Sequence, residues 1–118
     1  MLELKGMFER VIHNKVRMGN FETKEDDLIR IRSFFLFPNS PFSAADLCAG
    51  SGRALQVLTH DSPAVTFGIE PNEEKYLELR ERVNRALFGG YEECRISRET
   101  FHFMYLNPPY GAPRFGKL

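Results

Sequence analysis

Apolar positions along this 118-residue chain fall into blocks whose spacing switches between helical and strand-like. Leu4, Phe8, Val11 and Ile12 are spaced by 4, 3 and 1, which makes one stripe of a helix over 3–16. Gly19-Asn20 breaks that pattern. Leu28, Ile31 and Phe35 share the next helical face, over 24–36. Thr23 reads as its N-cap, followed by Glu25, Asp26 and Asp27 where acids complement free N–H groups. Pro38-Asn39-Ser40-Pro41 stops this helix.

From Ser43 the pattern changes to short apolar runs bounded by turn residues. Residues 43–48 read as a buried strand, Gly50-Ser51-Gly52 as a turn, and Arg53 to Thr59 as a returning helix. Val65 to Ile69 is a second buried strand. Pro71-Asn72 opens a helix to about Leu87, with Tyr76, Leu79, Val83 and Leu87 on its apolar face. Glu78–Arg82 and Glu81–Arg85 would support it as i,i+4 pairs. Gly89-Gly90 ends it, a weak strand is expected near Tyr91 to Ile96, and Phe101 to Leu106 is the last strand. Strands alternating with helices predict an α/β fold: a mostly parallel sheet, helices on both faces, right-handed crossovers. We expect one domain, with residues 1–37 as N-terminal helices and 43–118 as the α/β core.

Composition narrows the classes. At 42% hydrophobic with 11 Phe, the chain can bury a core, and no apolar run reaches the ~18 residues of a membrane span. Its N-terminus, Met1-Leu2-Glu3-Leu4-Lys5, is charged where a secretory signal is apolar. Two cysteines make neither a disulfide framework nor a zinc site, so both read as reduced and cytosolic. His13, His60 and His102 share no metal-ligand spacing. Net charge is zero, unlike a dedicated duplex-binding domain. Lys5, Arg10, Lys15 and Arg17 against Glu9 form a local basic excess, read first as a solvated helix face. The Phe34-Phe35-Leu36-Phe37 cluster reads as core, with a partner surface as the alternative.

Three segments carry candidate chemistry. Asp46-Leu47-Cys48-Ala49-Gly50-Ser51-Gly52 places glycines between a strand and a helix, where a ligand can approach the backbone. Leu55 stands where a dinucleotide fingerprint has its third glycine, which argues against a pyrophosphate ligand. Glu70, at the end of the next strand, can accept both hydroxyls of a ribose. Asn107-Pro108-Pro109-Tyr110 follows the last strand. Each has a plainer meaning as a tight turn, a loop acid or a surface turn. Ser51 lacks the Gly-x-Ser-x-Gly setting of a nucleophile.

Together and in this order, Asp46 to Gly52, Gly68-Ile69-Glu70-Pro71 and Leu106 to Gly111 resemble class I S-adenosylmethionine-dependent methyltransferases. More narrowly they resemble the adenine amino-methyltransferases of DNA modification, as in restriction–modification. The resemblance runs from about Gly19 to Gly111 and covers the first half of such a domain. It implies a Rossmann-like fold, here truncated after the fourth strand. It implies S-adenosylmethionine as cofactor and N6 of adenine in DNA as acceptor, with ribosomal RNA guanine or a protein glutamine amide as other acceptors of the same loop.

By that resemblance Phe21, Thr23, Asp46, Cys48, Gly50, Gly52, Glu70 and Pro71 form the cofactor site. Asp46 approaches the methionine amino end, Glu70 holds the ribose, and Ile69 with Pro71 flanks the adenine. Gly19-Asn20-Phe21-Glu22-Thr23 has one residue more than the family's cofactor segment, and Lys24 replaces its proline. Gly90 stands where a third acid often contacts the adenine, with Glu92 nearby. Asn107, Pro108 and Tyr110 are the implied catalytic set. An aromatic amine is a poor nucleophile because its lone pair is delocalised. The Asn107 side-chain oxygen and the Pro108 carbonyl can take its two hydrogens, while Tyr110 stacks the extruded base. The rival class is a non-catalytic module that binds cofactor or another chain. The chain's end at Leu118 predicts that the last strand lies at an open edge, paired with a second copy or a separate C-terminal half.

Overall fold

The computed structural model describes residues 22–107. In chain order these form α1 (Glu25–Arg32), β1 (Phe42–Asp46), α2 (Arg53–Leu58), β2 (Ala64–Glu70) and α3 (Glu73–Arg82). Then come β3 (Arg85–Phe88), a 3-10 turn (Tyr91–Glu93) and β4 (Phe103–Tyr105). The strands make one sheet in the order β3-β2-β1-β4, and every pairing is parallel. The all-parallel α/β class is what the alternation predicts, but helices on both faces are not found. α2 and α3 pack on the one face that carries Ala44 and Gly68, and among the described residues the segment 94–101 covers the other. The helix expected over 3–16 lies outside the described residues. No helix among the described residues is long and apolar enough to cross a membrane.

Alternation of side chains across the pleat assigns the sheet two faces. Phe42 and Ala44 of β1 pack against Leu55 of α2, with Phe37, Ala64, Val83 and Phe103 around them. Gly68 of β2 lies beneath α3: a Cβ there would stand 2.8 Å from Leu79 Cδ1. Leu28, Leu55, Leu58 and Leu79 are fully buried. On the opposite face Phe101 packs on Phe67 at 5.3 Å between ring centroids. The segment 94–101 crosses there and leaves a cavity of about 260 Å³ over Phe67, Ile69 and Leu87.

Several boundaries differ from the pattern-based ones, each for a local reason. α3 ends at Arg82, and Arg85 to Phe88 is a strand instead of a continuing helix. Asn84 causes the switch. Its Oδ1 accepts from Thr66 N at 2.8 Å and from Thr66 Oγ1 at 3.0 Å, and its own N–H donates to Thr66 Oγ1 at 3.0 Å. That clamp swings the chain alongside β2, where Phe67 pairs with Arg85 and Glu70 with Phe88. Glu78–Arg82 does form, at 3.9 Å, but Arg85 has left the helix and cannot serve Glu81 at helical spacing. The strand expected near Tyr91 to Ile96 is a 3-10 turn at Tyr91–Glu93, because Glu93 Oε1 accepts from Gly90 N at 2.9 Å and curls the chain back.

α1 closes early too. Ser33, Phe34 and Phe35 bond back to Arg30, Ile31 and Arg32 in a tightening turn. Within the Phe34–Phe37 cluster the expectation of core holds for only part. Phe35 and Phe37 join Phe103 in edge-on ring contacts at 5.2 Å, whereas Phe34 is 79% and Leu36 100% exposed.

Candidate cofactor and transfer site

The site is built at the carboxyl ends of β1, β2 and β4. β1 ends in Asp46, which is 2% exposed, and its Oδ1 accepts from Cys48 N at 3.0 Å. That bond bends the chain directly into the glycine turn, so the strand stops before Leu47-Cys48. Ala49 N donates to Ile69 O and Gly52 N to Ala49 O, both at 2.9 Å, fixing the turn to β2. Gly50 and Gly52 take left-handed φ values of 56° and 86°, which side chains resist. At Gly52 a Cβ would also stand 2.7 Å from Leu79 Cδ1.

Glu70 ends β2 and is 4% exposed. Its Oε1 accepts from Gly50 N at 2.7 Å and its Oε2 from Asn72 N at 2.9 Å. Asn72 in turn caps α3 by accepting from Lys75 N at 3.0 Å. Both carboxyls are held above their ordinary range, chiefly by burial. For Asp46 the value is about 7, the Cys48 N–H opposing burial and the Glu70 charge adding to it. For Glu70 the N–H groups of Asn72 and Gly50 and the charge of Lys75 oppose burial, while Glu22 adds to it.

The sequence-derived residues are thus partly brought together. Asp46, Gly50, Gly52 and Glu70 meet around one turn. Cys48 is half-buried in that turn. Pro71 is exposed, and Ile69 points to the opposite face, into the cavity with Phe67 and Leu87. Glu92 is exposed in the 3-10 turn. Phe21, Pro108 and Tyr110 lie outside the described residues.

Thr23 departs from its expected role. Lys24 occupies the N-cap position of α1, and no side chain caps that helix. Thr23 Oγ1 instead lies 2.6 Å from Tyr105 OH and accepts from Asn107 Nδ2 at 3.3 Å. It therefore ties the start of α1 to the loop after β4. Its neighbour Glu22 was not singled out by pattern. Glu22 Oε1 accepts from the Ser51 hydroxyl and, at 3.4 Å, from Ser51 N. Partial burial pushes the Glu22 carboxyl up, but the Ser51 bonds, Lys75 and Arg82 outweigh it and hold it low. Arg82 donates to Ser51 O at 3.1 Å, so a clasp of Glu22, Ser51 and Arg82 backs the turn. The available signal was the buried polar Ser51 between two glycines, which needs a partner.

Residues 6–113 match DUF6094, an uncharacterised methyltransferase family. The chain belongs to that family. No curated protein matches it. The four-stranded parallel sheet with its glycine turn after β1 is accordingly a Rossmann-like methyltransferase fold. In such a fold ligands bind beyond the carboxyl ends of the strands, where Asp46, Glu70 and Asn107 lie.

Proposed function

We propose that this methyltransferase takes its methyl group from S-adenosylmethionine and transfers it to an exocyclic amine, N6 of adenine in DNA. One observation carries the reading. β1 and β4 are adjacent, with Asp46 paired to Tyr105, two residues before Asn107. A cofactor end held at Asp46 and an acceptor held at Asn107 would therefore be neighbours across one strand pair.

The residues present fit the cofactor. Asp46 and Glu70 are buried acceptors beside an open-angled glycine turn. The cofactor offers matching donors: two ribose hydroxyls and an ammonium group. When bound it supplies a methyl group on a positively charged sulfur. Glu70 would accept from the ribose with lone pairs not used by Gly50 and Asn72. Asp46 would balance the ammonium. Asn107 Oδ1 would accept a hydrogen of the acceptor amine, favouring a nitrogen whose lone pair is no longer spread into the ring. Positioning of this kind lowers the barrier, and the proton that the methylated nitrogen must shed would pass to solvent.

The test supplies labelled S-adenosylmethionine with unmethylated duplex DNA in a cytosol-like buffer. We expect label in N6-methyladenine after digestion. Label in ribosomal RNA guanine or in glutamine amides instead would move the acceptor to those classes. Cofactor binding by calorimetry with no transfer to any of them would favour the non-catalytic module.

The reading extends to a homodimer. Among the described residues β4 pairs with β1 alone, and Met104 is 37% exposed. Such an edge favours pairing with a second copy. Light scattering that finds a stable monomer at high concentration removes this part.

A further inference from the structure

Asn107 carries an amide whose two ends differ in kind: an acceptor oxygen and a donor NH2. Rotating the amide by a half-turn exchanges them. To hold an amine, which is itself a donor, the oxygen must face the acceptor and the NH2 must be held elsewhere. In the structure Nδ2 donates to Thr23 Oγ1 at 3.3 Å, across 84 positions of sequence. Thr23 Oγ1 in turn lies 2.6 Å from Tyr105 OH.

We propose that Thr23 and Tyr105 are positioning residues that fix which end of the Asn107 amide faces the acceptor. The proposal rests on the reading of Asn107 as the amine-binding residue. A threonine hydroxyl has one proton and two lone pairs. When the Thr23 hydroxyl donates that hydrogen to the Tyr105 oxygen, Thr23 has only lone pairs left for Asn107, and only the NH2 end of Asn107 can bond there. The oxygen end is then turned away from Thr23. Without the Tyr105 hydroxyl, the Thr23 proton is free to bond Asn107 Oδ1, and the flipped amide becomes competitive. With Thr23 as the donor in its contact with Tyr105, Tyr105 is more than a staple between α1 and β4: it sets the polarity of the bond beyond it. Tyr105 sits on the strand beside the loop, opposite Asp46, so no loop rearrangement is needed to keep it in reach.

Two measurements test this on the full chain. The first is the side-chain amide spectrum of ¹⁵N-labelled protein, with Asn107 assigned by its loss in Asn107→Asp. We expect one Nδ2 hydrogen protected from solvent exchange in wild type and in Thr23→Ser, and no protection in Thr23→Val. The second is kinetic. Tyr105→Phe should lower kcat on duplex DNA roughly tenfold, the size of one misdirected hydrogen bond, with the cofactor dissociation constant unchanged. Thr23→Val should lower kcat by at least as much, and Thr23→Ser, which restores the hydroxyl, should recover most of that loss. An unprotected Nδ2 in wild type overturns the proposal, as does wild-type kcat in folded Tyr105→Phe and Thr23→Val. If wild type transfers no methyl to DNA, the acceptor reading fails by itself. The amide spectrum then decides the positioning role alone: protection supports it and its absence overturns it.

Discussion

Gly50 donates its backbone N–H to Glu70 Oε1 at 2.7 Å, joining the glycine turn after β1 to the acid that ends β2. Asn72 N bonds the other oxygen at 2.9 Å, so the carboxylate spans both loops. Glu70→Gln must place an NH2 against one of these two N–H groups. We expect a loss of stability of about 1–3 kcal/mol, read from urea unfolding. Glu70→Ala should also weaken S-adenosylmethionine binding by about 1–3 kcal/mol in calorimetry. Equal affinity in wild type and Glu70→Ala would remove Glu70 from the cofactor site.

Asp46 gives the fold a pH dependence. Burial holds its carboxyl at about 7 against an ordinary 3.8. Between those values the folded protein binds this proton and the unfolded chain does not. Stability from this group is therefore present at low pH and is lost as pH rises through about 4 to 7. Asp46→Asn keeps the acceptor for Cys48 N but cannot ionise. Its melting temperature should exceed that of wild type at pH ~8 and change less between pH ~5 and ~8. Parallel melting curves for the two proteins across that range would show that Asp46 is not the titrating group.

Leu79 fills the space over both glycine positions of the core. A Cβ at Gly68 would stand 2.8 Å from Leu79 Cδ1 and 3.0 Å from Ala49 Cβ. Gly68→Ala should cost about 1–3 kcal/mol by overpacking. Leu79→Ala should cost about 2–5 kcal/mol by leaving a cavity. The double variant should lose less than the sum, since the added methyl occupies vacated space. Additive losses in chemical denaturation would show that the two side chains do not share that volume.

Asn84 is the point where pattern and structure part. Asn84→Ala removes the acceptor of Thr66 N and the bond to Thr66 Oγ1. We expect a loss of about 1–2 kcal/mol, with faster hydrogen exchange at the β2–β3 pairing than at β1–β2. Uniform exchange across the sheet would show that the clamp does not hold β3.

The same position explains what was legible beforehand. Local signals named the parallel α/β class, the two central strands and the glycine turn, because buried runs and glycines act at short range. Asp46 and Glu70 were legible because both sit where a strand meets a turn. β3 was not, since Leu79, Val83 and Leu87 keep a helical period through Arg82 while a bond to Thr66, 18 positions back, ends the helix. Thr23 was misassigned for the same reason. It precedes acids like an N-cap, but its hydroxyl is engaged by Tyr105 and Asn107 from the far end of the sheet. Glu22 was hidden because its partner Ser51 lies 29 positions away.

If Asn107 holds the acceptor amine as proposed, its loss should separate cofactor binding from transfer. Asn107 lies beyond β4 and bonds Thr23, whereas the buried acids and the glycine turn belong to β1 and β2. Asn107→Ala removes the acceptor oxygen without touching Asp46, Gly50 or Glu70. S-adenosylmethionine affinity should therefore stay within about twofold of wild type, while methyl transfer falls by at least ~100-fold, as when a preorganised polar group is removed from a reacting centre. Asn107→Asp restores an acceptor but loses the NH2 that bonds Thr23, and it places a carboxylate against the Thr23 hydroxyl. It should recover part of the rate and no more. Calorimetry beside a labelled-methyl assay on DNA distinguishes these outcomes. Full transfer by Asn107→Ala would show that the amine is held by some other group, and loss of cofactor binding would show that the loop and the glycine turn are one site.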